Sequence, residues 1–128
     1  MSLHDTAEKI RTMEIRGAGR IARAAAEALR EVAESARTSS VEEFRRHMEK
    51  AGVHLTATRP TAVSLPNAVR YVLAELPRGS SVEEARETIR RRADAFIVSS
   101  LHAVERIGEI GSRHIQDGDV LLTHCNSE

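Results

Sequence analysis

Apolar residues recur along most of this chain at steps of three and four, the spacing that lines one face of an α-helix. The first such segment carries Ile10 and Met13 behind an Asp5-x-x-Glu8 start of capping-box type and ends at Arg16-Gly17-Ala18-Gly19. After the glycines, Ile21, Ala24, Ala25, Ala28, Leu29, Val32, Ala33 and Ala36 form the stripe of a second helix, whose small side chains permit close neighbours. Ser40 with Glu43 opens a third helix. Its face carries Phe44, Met48, Ala51 and Leu55, with Gly52 weakening the middle and Arg59-Pro60 as the stop. A fourth carries Val69, Val72, Leu73 and Leu76, with Pro66 near its first turn, where a missing donor is tolerated, and ends at Pro77 before the turn Pro77-Arg78-Gly79-Ser80. The fifth is the longest: Ser81 with Glu84 caps a face running through Ile89, Ala93, Phe96, Ile97, Leu101, Val104, Ile107, Ile110 and Ile115. Such a helix spans roughly 45–50 Å, and a kink is expected near Gly108 or Gly111.

The pattern changes after Asp117-Gly118-Asp119. Val120-Leu121-Leu122 is short enough to be one buried strand, and Thr123-His124-Cys125-Asn126-Ser127-Glu128 follows it with the single cysteine. A lone strand cannot satisfy its own backbone donors and acceptors, so it needs sheet neighbours that nothing else in the chain supplies. The expected architecture is mainly α: a helical amino-terminal domain over residues 1–116, and over residues 117–128 the first strand of an α/β domain that the chain does not contain. Cys125 would then stand at the carboxyl end of that strand, where open α/β sheets place their sites.

Composition narrows the possibilities. The chain has 128 residues, 41% hydrophobic and 30% charged, which fits one folded domain and excludes a disordered segment. With no Trp, one Tyr and two Phe, the core must be built of Ala, Leu, Ile and Val. Nineteen basic residues cancel nineteen acidic ones, and the near absence of stacking rings argues further against a nucleic-acid partner. The densest basic run, Arg90-Arg91-Arg92, lies among Glu83, Glu84, Glu87 and Asp94 and reads as a salt-bridged helix face. No apolar run approaches membrane-spanning length and the amino terminus has no apolar signal region, so no membrane association is expected. One cysteine forms no internal disulfide, which suits a reducing cytoplasmic setting.

Three places can carry chemistry. Arg16-Gly17-Ala18-Gly19 opens the second helix; its glycines let a ligand approach the backbone, and the unpaired N–H groups of the first turn with Arg16 would hold a phosphate. The same spacing also makes a tight helix-to-helix turn needing positive φ. Arg59-Pro60-Thr61 repeats the arrangement ahead of the fourth helix, as a second anion site or as plain capping by Thr61. Cys125 is either a small buried hydrophobe or a reactive thiol, and His124, pointing to the opposite face of a strand, cannot simply be its activating base. His4, His47, His54, His102, His114 and His124 show no metal-ligand spacing, so no metal site and no cofactor are expected.

Taken in order, Met13 to Gly19, Thr58 to Ala68, Glu105-Arg106-Ile107-Gly108 and Asp117 to Ser127 resemble the corresponding segments of ribose-1,5-bisphosphate isomerases. These group with methylthioribose-1-phosphate isomerases and the regulatory subunits of translation initiation factor two-B. The resemblance implies a helical domain joined by a long helix to a Rossmann-like domain. It also implies that Arg16, Gly17, Ala18, Gly19, Arg59 and Ser127 hold the phosphates of a sugar phosphate, and that Cys125 is the proton-abstracting base. The proton-donating aspartate of such enzymes lies beyond the cysteine, so these 128 residues alone are expected to be inactive, completed by a carboxyl-terminal domain or by a homo-oligomer. The other reading is a non-catalytic regulatory or interaction protein like the initiation-factor subunits.

Overall fold

The computed structural model describes residues 1–76 and 81–124. Five helices in chain order make up its regular structure: α1 (Leu3–Arg11), α2 (Ala18–Ser35), α3 (Val41–Thr58), α4 (Ser64–Leu73) and α5 (Val82–Gly111), with a 3-10 turn at Ser112–His114. The mainly α class follows from the sequence periodicity. α2 is the central element and packs against each of the other four helices.

The caps explain most of the boundaries. α1 begins three residues earlier than the Asp5-x-x-Glu8 reading places it, because Ser2 is the true N-cap and Asp5 closes the reciprocal box back onto the Ser2 backbone. The Ser2 hydroxyl and N–H together hold the Asp5 carboxyl below the usual carboxylate range. At Ser40 the box is shared: the Ser40 hydroxyl accepts from the Glu43 N–H, while the Glu43 carboxylate reaches the Ser39 N–H. Ser81 and Glu84 form the full reciprocal box at the start of α5. Pro66 is the third residue of α4, where its missing donor costs nothing, but Thr61 is not the cap; Val63 occupies that position without a side-chain bond. Pro77, expected to stop α4, lies outside the described residues, and α4 already ends at Leu73.

The buried face of α2 is wider than the predicted stripe. Ala22 and Ala26 are buried as well as Ile21, Ala25, Ala28, Leu29, Val32 and Ala33, whereas Ala24 is only half-buried. Alanines let neighbouring backbones approach, and the space is filled by Ile10, Phe44, Met48, Leu55, Leu65, Val72 and Ile89, each fully enclosed. Complete burial of a side chain of this size contributes about 1.5–3 kcal/mol. Met13, expected beside Ile10 on the α1 face, is exposed instead, because α1 has already ended and Met13 turns the chain with φ 63°.

α2 and α5 run antiparallel, and their seam is tied by arginines. Arg86 donates to the carbonyl oxygens of Ala33 (2.9 Å) and Ala36 (3.1 Å), satisfying acceptors that the end of α2 leaves open. Arg30 pairs with Asp94, and Arg90 with Glu34 and Glu87. On the other side of α5, Arg92 pairs with Glu75, donates to the Tyr71 carbonyl and lies 4.3 Å over the Tyr71 ring. Hydrogen bonding by Arg91, with the Arg92 charge beside it, holds the Glu75 carboxyl below its ordinary range. The Arg90-Arg91-Arg92 run is thus a paired helix face, as its acidic neighbours in sequence imply.

Gly52 is not a weak point but a contact: a methyl group there would sit 2.8 Å from Val69 Cγ1 and 2.9 Å from Leu73 Cδ1, so the missing side chain is what lets α4 lie against α3. Val120–Leu122 lies unpaired, as a run without sheet neighbours must: no strand occurs among the described residues, and Val120 and Leu122 are 96% and 99% exposed. With no second extended segment alongside, the run has nothing to ladder with. In place of the kink expected near Gly108 or Gly111, α5 runs as one helix through Gly108 and ends at Gly111, where a 3-10 turn follows and leaves Ile115 beyond the helix.

Gly52→Ala should therefore destabilise the fold by about 1 kcal/mol, since overpacking of about 1–3 kcal/mol outweighs the helix-propensity gain of up to about 1 kcal/mol; urea denaturation reads the difference, and a gain in stability would show that Val69 and Leu73 yield freely. Amide exchange along α5 should be slow around Ile89 and Ala93, which are fully buried, and markedly faster beyond Leu101, where the helix projects past the core. Uniform protection to Gly111 would contradict that reading.

Candidate functional site

The junction of α1 and α2 is built by backbone conformation. After Met13 the Ile15 N–H returns to the Lys9 carbonyl (2.9 Å), and the chain enters α2 through Gly17 at φ 92°, ψ 135°. That φ strains any residue with a Cβ, so the glycine requirement of a tight turn holds at Gly17. Gly19 is different. It sits inside the first turn of α2, and Gly17 and Gly118 are the positive-φ glycines of the described chain.

The first intrahelical bond of α2 runs from the Ile21 N–H to the Gly17 carbonyl (3.0 Å), which leaves the N–H groups of Ala18, Gly19 and Arg20 without helical partners. No side chain caps them and no acidic residue stands in the first turn. Helix amino ends ordinarily attract carboxylates. Here the chain from Ile15 to Ala26 contains Arg16, Arg20 and Arg23 and neither Asp nor Glu.

This end of α2 forms one wall of a cleft of about 410 Å³. Ala18, Gly19, Arg20 and Arg23 line it from α2, and Ser64 from the start of α4. The opposite wall is the outer half of α5, with Ser100 among apolar Phe96, Leu101, Val104 and Ile107. No carboxylate lines it. Arg23 donates to the Ser100 hydroxyl at 3.1 Å, and Arg16, Arg20 and Arg59 have no carboxylate partner among the described residues.

Of the residues picked out in the sequence, Ala18 and Gly19 line the cleft, Gly17 caps the helix that forms it, and Arg16 is exposed immediately before that cap. Arg59 is half-buried at the carboxyl end of α3, four residues ahead of the α4 cap Val63, and is not among the lining residues. Cys125 and Ser127 lie outside the described residues. Arg20, Arg23 and Ser100 lie outside the motifs, and Ser64, inside the Thr58–Ala68 segment, carries no site role there. The available signal was the acid-free stretch around Arg16, a local excess of charge in a neutral chain.

The chain belongs to the initiation factor 2 subunit family, whose match covers residues 14–128 and so takes in both the α1–α2 junction and the cleft. Within that family, the ribose 1,5-bisphosphate isomerase of Methanocaldococcus jannaschii is 54% identical over 126 residues, covering 98% of this chain and 40% of that protein. That of Thermococcus kodakarensis is 50% identical over 128 residues, covering 97% and 40%. The chain thus spans about 40% of the length of these curated relatives. Among solved structures, 5-methylthioribose 1-phosphate isomerase from Pyrococcus horikoshii OT3 superposes with a TM-score of 0.80 at 32% identity, over 91% of this chain and 33% of that one. Translation initiation factor eIF-2B, subunit delta, from A. fulgidus gives 0.77 at 33% identity, over 98% and 37%. Among the described residues no helix is long and apolar enough to cross a membrane.

The two glycines of the junction should respond differently to a methyl group. Gly17→Ala should cost about 1–3 kcal/mol in stability because its φ of 92° with ψ 135° lies where residues with a Cβ are strained, while Gly19→Ala, in a helical conformation, should escape that strain. Equal losses in thermal or urea unfolding would mean that the junction is not held by the Gly17 conformation.

Proposed function

We propose that this chain is the phosphate-holding helical part of a sugar-phosphate isomerase acting on ribose 1,5-bisphosphate, giving ribulose 1,5-bisphosphate. The observation that carries the reading is the amino end of α2, which offers unbonded N–H groups and arginines to a cleft that no carboxylate lines. Such an end favours an anion through both its dipole and its donors. The identity to named ribose 1,5-bisphosphate isomerases supports a sugar phosphate as that anion. In this proposal Arg16, the Gly17–Gly19 backbone and Arg59 hold phosphate, with Ser127 contributing beyond the described residues.

The chemistry requires firm anchoring. A sugar phosphorylated at its anomeric carbon cannot open unaided: an acid must protonate the ring oxygen as the bond to carbon one breaks, while a base takes the proton from carbon two. The resulting enediol-like intermediate regains a proton at carbon one and becomes the ketose. Cys125 is assigned the base, and its thiol, ordinarily near 8.5, needs positive surroundings to ionise near neutrality. The acid is assigned to a Rossmann-like domain that residues 117–128 lead into, carried by the same protein or by a partner copy, and the setting to the cytoplasm.

The similarity to subunit delta of eIF-2B supports a second reading, in which the same cleft binds a phosphorylated metabolite without turnover. Ribose 1,5-bisphosphate titrated into labelled protein should move the amide signals of Gly17 and Gly19, and Arg16→Ala should abolish that movement. Affinity in the millimolar range, about 4 kcal/mol, is expected if one phosphate is held. Fixed Gly17 and Gly19 signals while others shift would reduce Arg16–Gly19 to a turn. Binding without conversion, in protein that carries Cys125 and the acid-bearing domain, would favour the regulatory reading.

A further inference from the structure

We draw no further inference here: the strongest candidate, the exposed apolar face that α5 carries past the core at Leu101, Val104, Ile107 and Ile110, carries nothing because nothing in the structure shows what covers it.

Discussion

The fold depends on the alanine-rich surface of α2. Because Ala22, Ala25, Ala26, Ala28 and Ala33 carry only a methyl group, four other helices can approach one central helix closely, and the larger residues of those helices fill the space between. A bulkier α2 would push its neighbours outward and open the core, since interiors at close-packed density absorb added volume poorly. The same economy appears at Gly52, where the absence of a side chain admits Val69 and Leu73. A chain almost without aromatics reaches native packing by bringing backbones together.

Placing α2 at the centre fixes the cleft. Its carboxyl end is closed by Arg86, which satisfies the Ala33 and Ala36 carbonyls, so that end of the helix is fully committed to structure. Its amino end is left open: glycine-capped, acid-free and flanked by arginines. Those arginines stand at the positive end of the helix dipole, an arrangement that costs stability unless an anion is present. The two ends of one helix thus differ: the Arg86 side chain from α5 closes its carboxyl end, and none caps its amino end.

How much of this is legible in sequence follows from the range of each interaction. The helices, the Ser40 and Ser81 starts and the buried Phe44, Met48, Ala51 and Leu55 rest on neighbours within a turn or two, and could be read directly. The start of α1 was displaced because Ser2-x-x-Asp5 and Asp5-x-x-Glu8 are overlapping patterns of the same kind, and only the backbone decides between them. The role of Gly52 is not legible locally because it depends on α4, whereas the unpaired state of Val120–Leu122 is, because the sequence holds one such apolar run and no partner for it. The site divides in the same way. Arg16–Gly19 is contiguous and was visible as a motif; Arg23 meets Ser100 across 77 positions and became visible only in three dimensions.

α5 shows why a single periodic pattern can serve two ends. Its apolar face continues unchanged from Ile89 to Ile110, yet Ile89 and Ala93 are fully enclosed, while Leu101, Val104 and Ile107 are 58%, 54% and 69% exposed. Burial of the first two holds α5 on α2; the last three gain little from the core, and their place in the cleft gives them a different role. They face Arg20 and Arg23 across the cleft as its apolar wall. One continuous apolar face thus secures the bundle at Ile89 and Ala93 and, past the core, forms the outer wall of the cleft at Leu101, Val104 and Ile107.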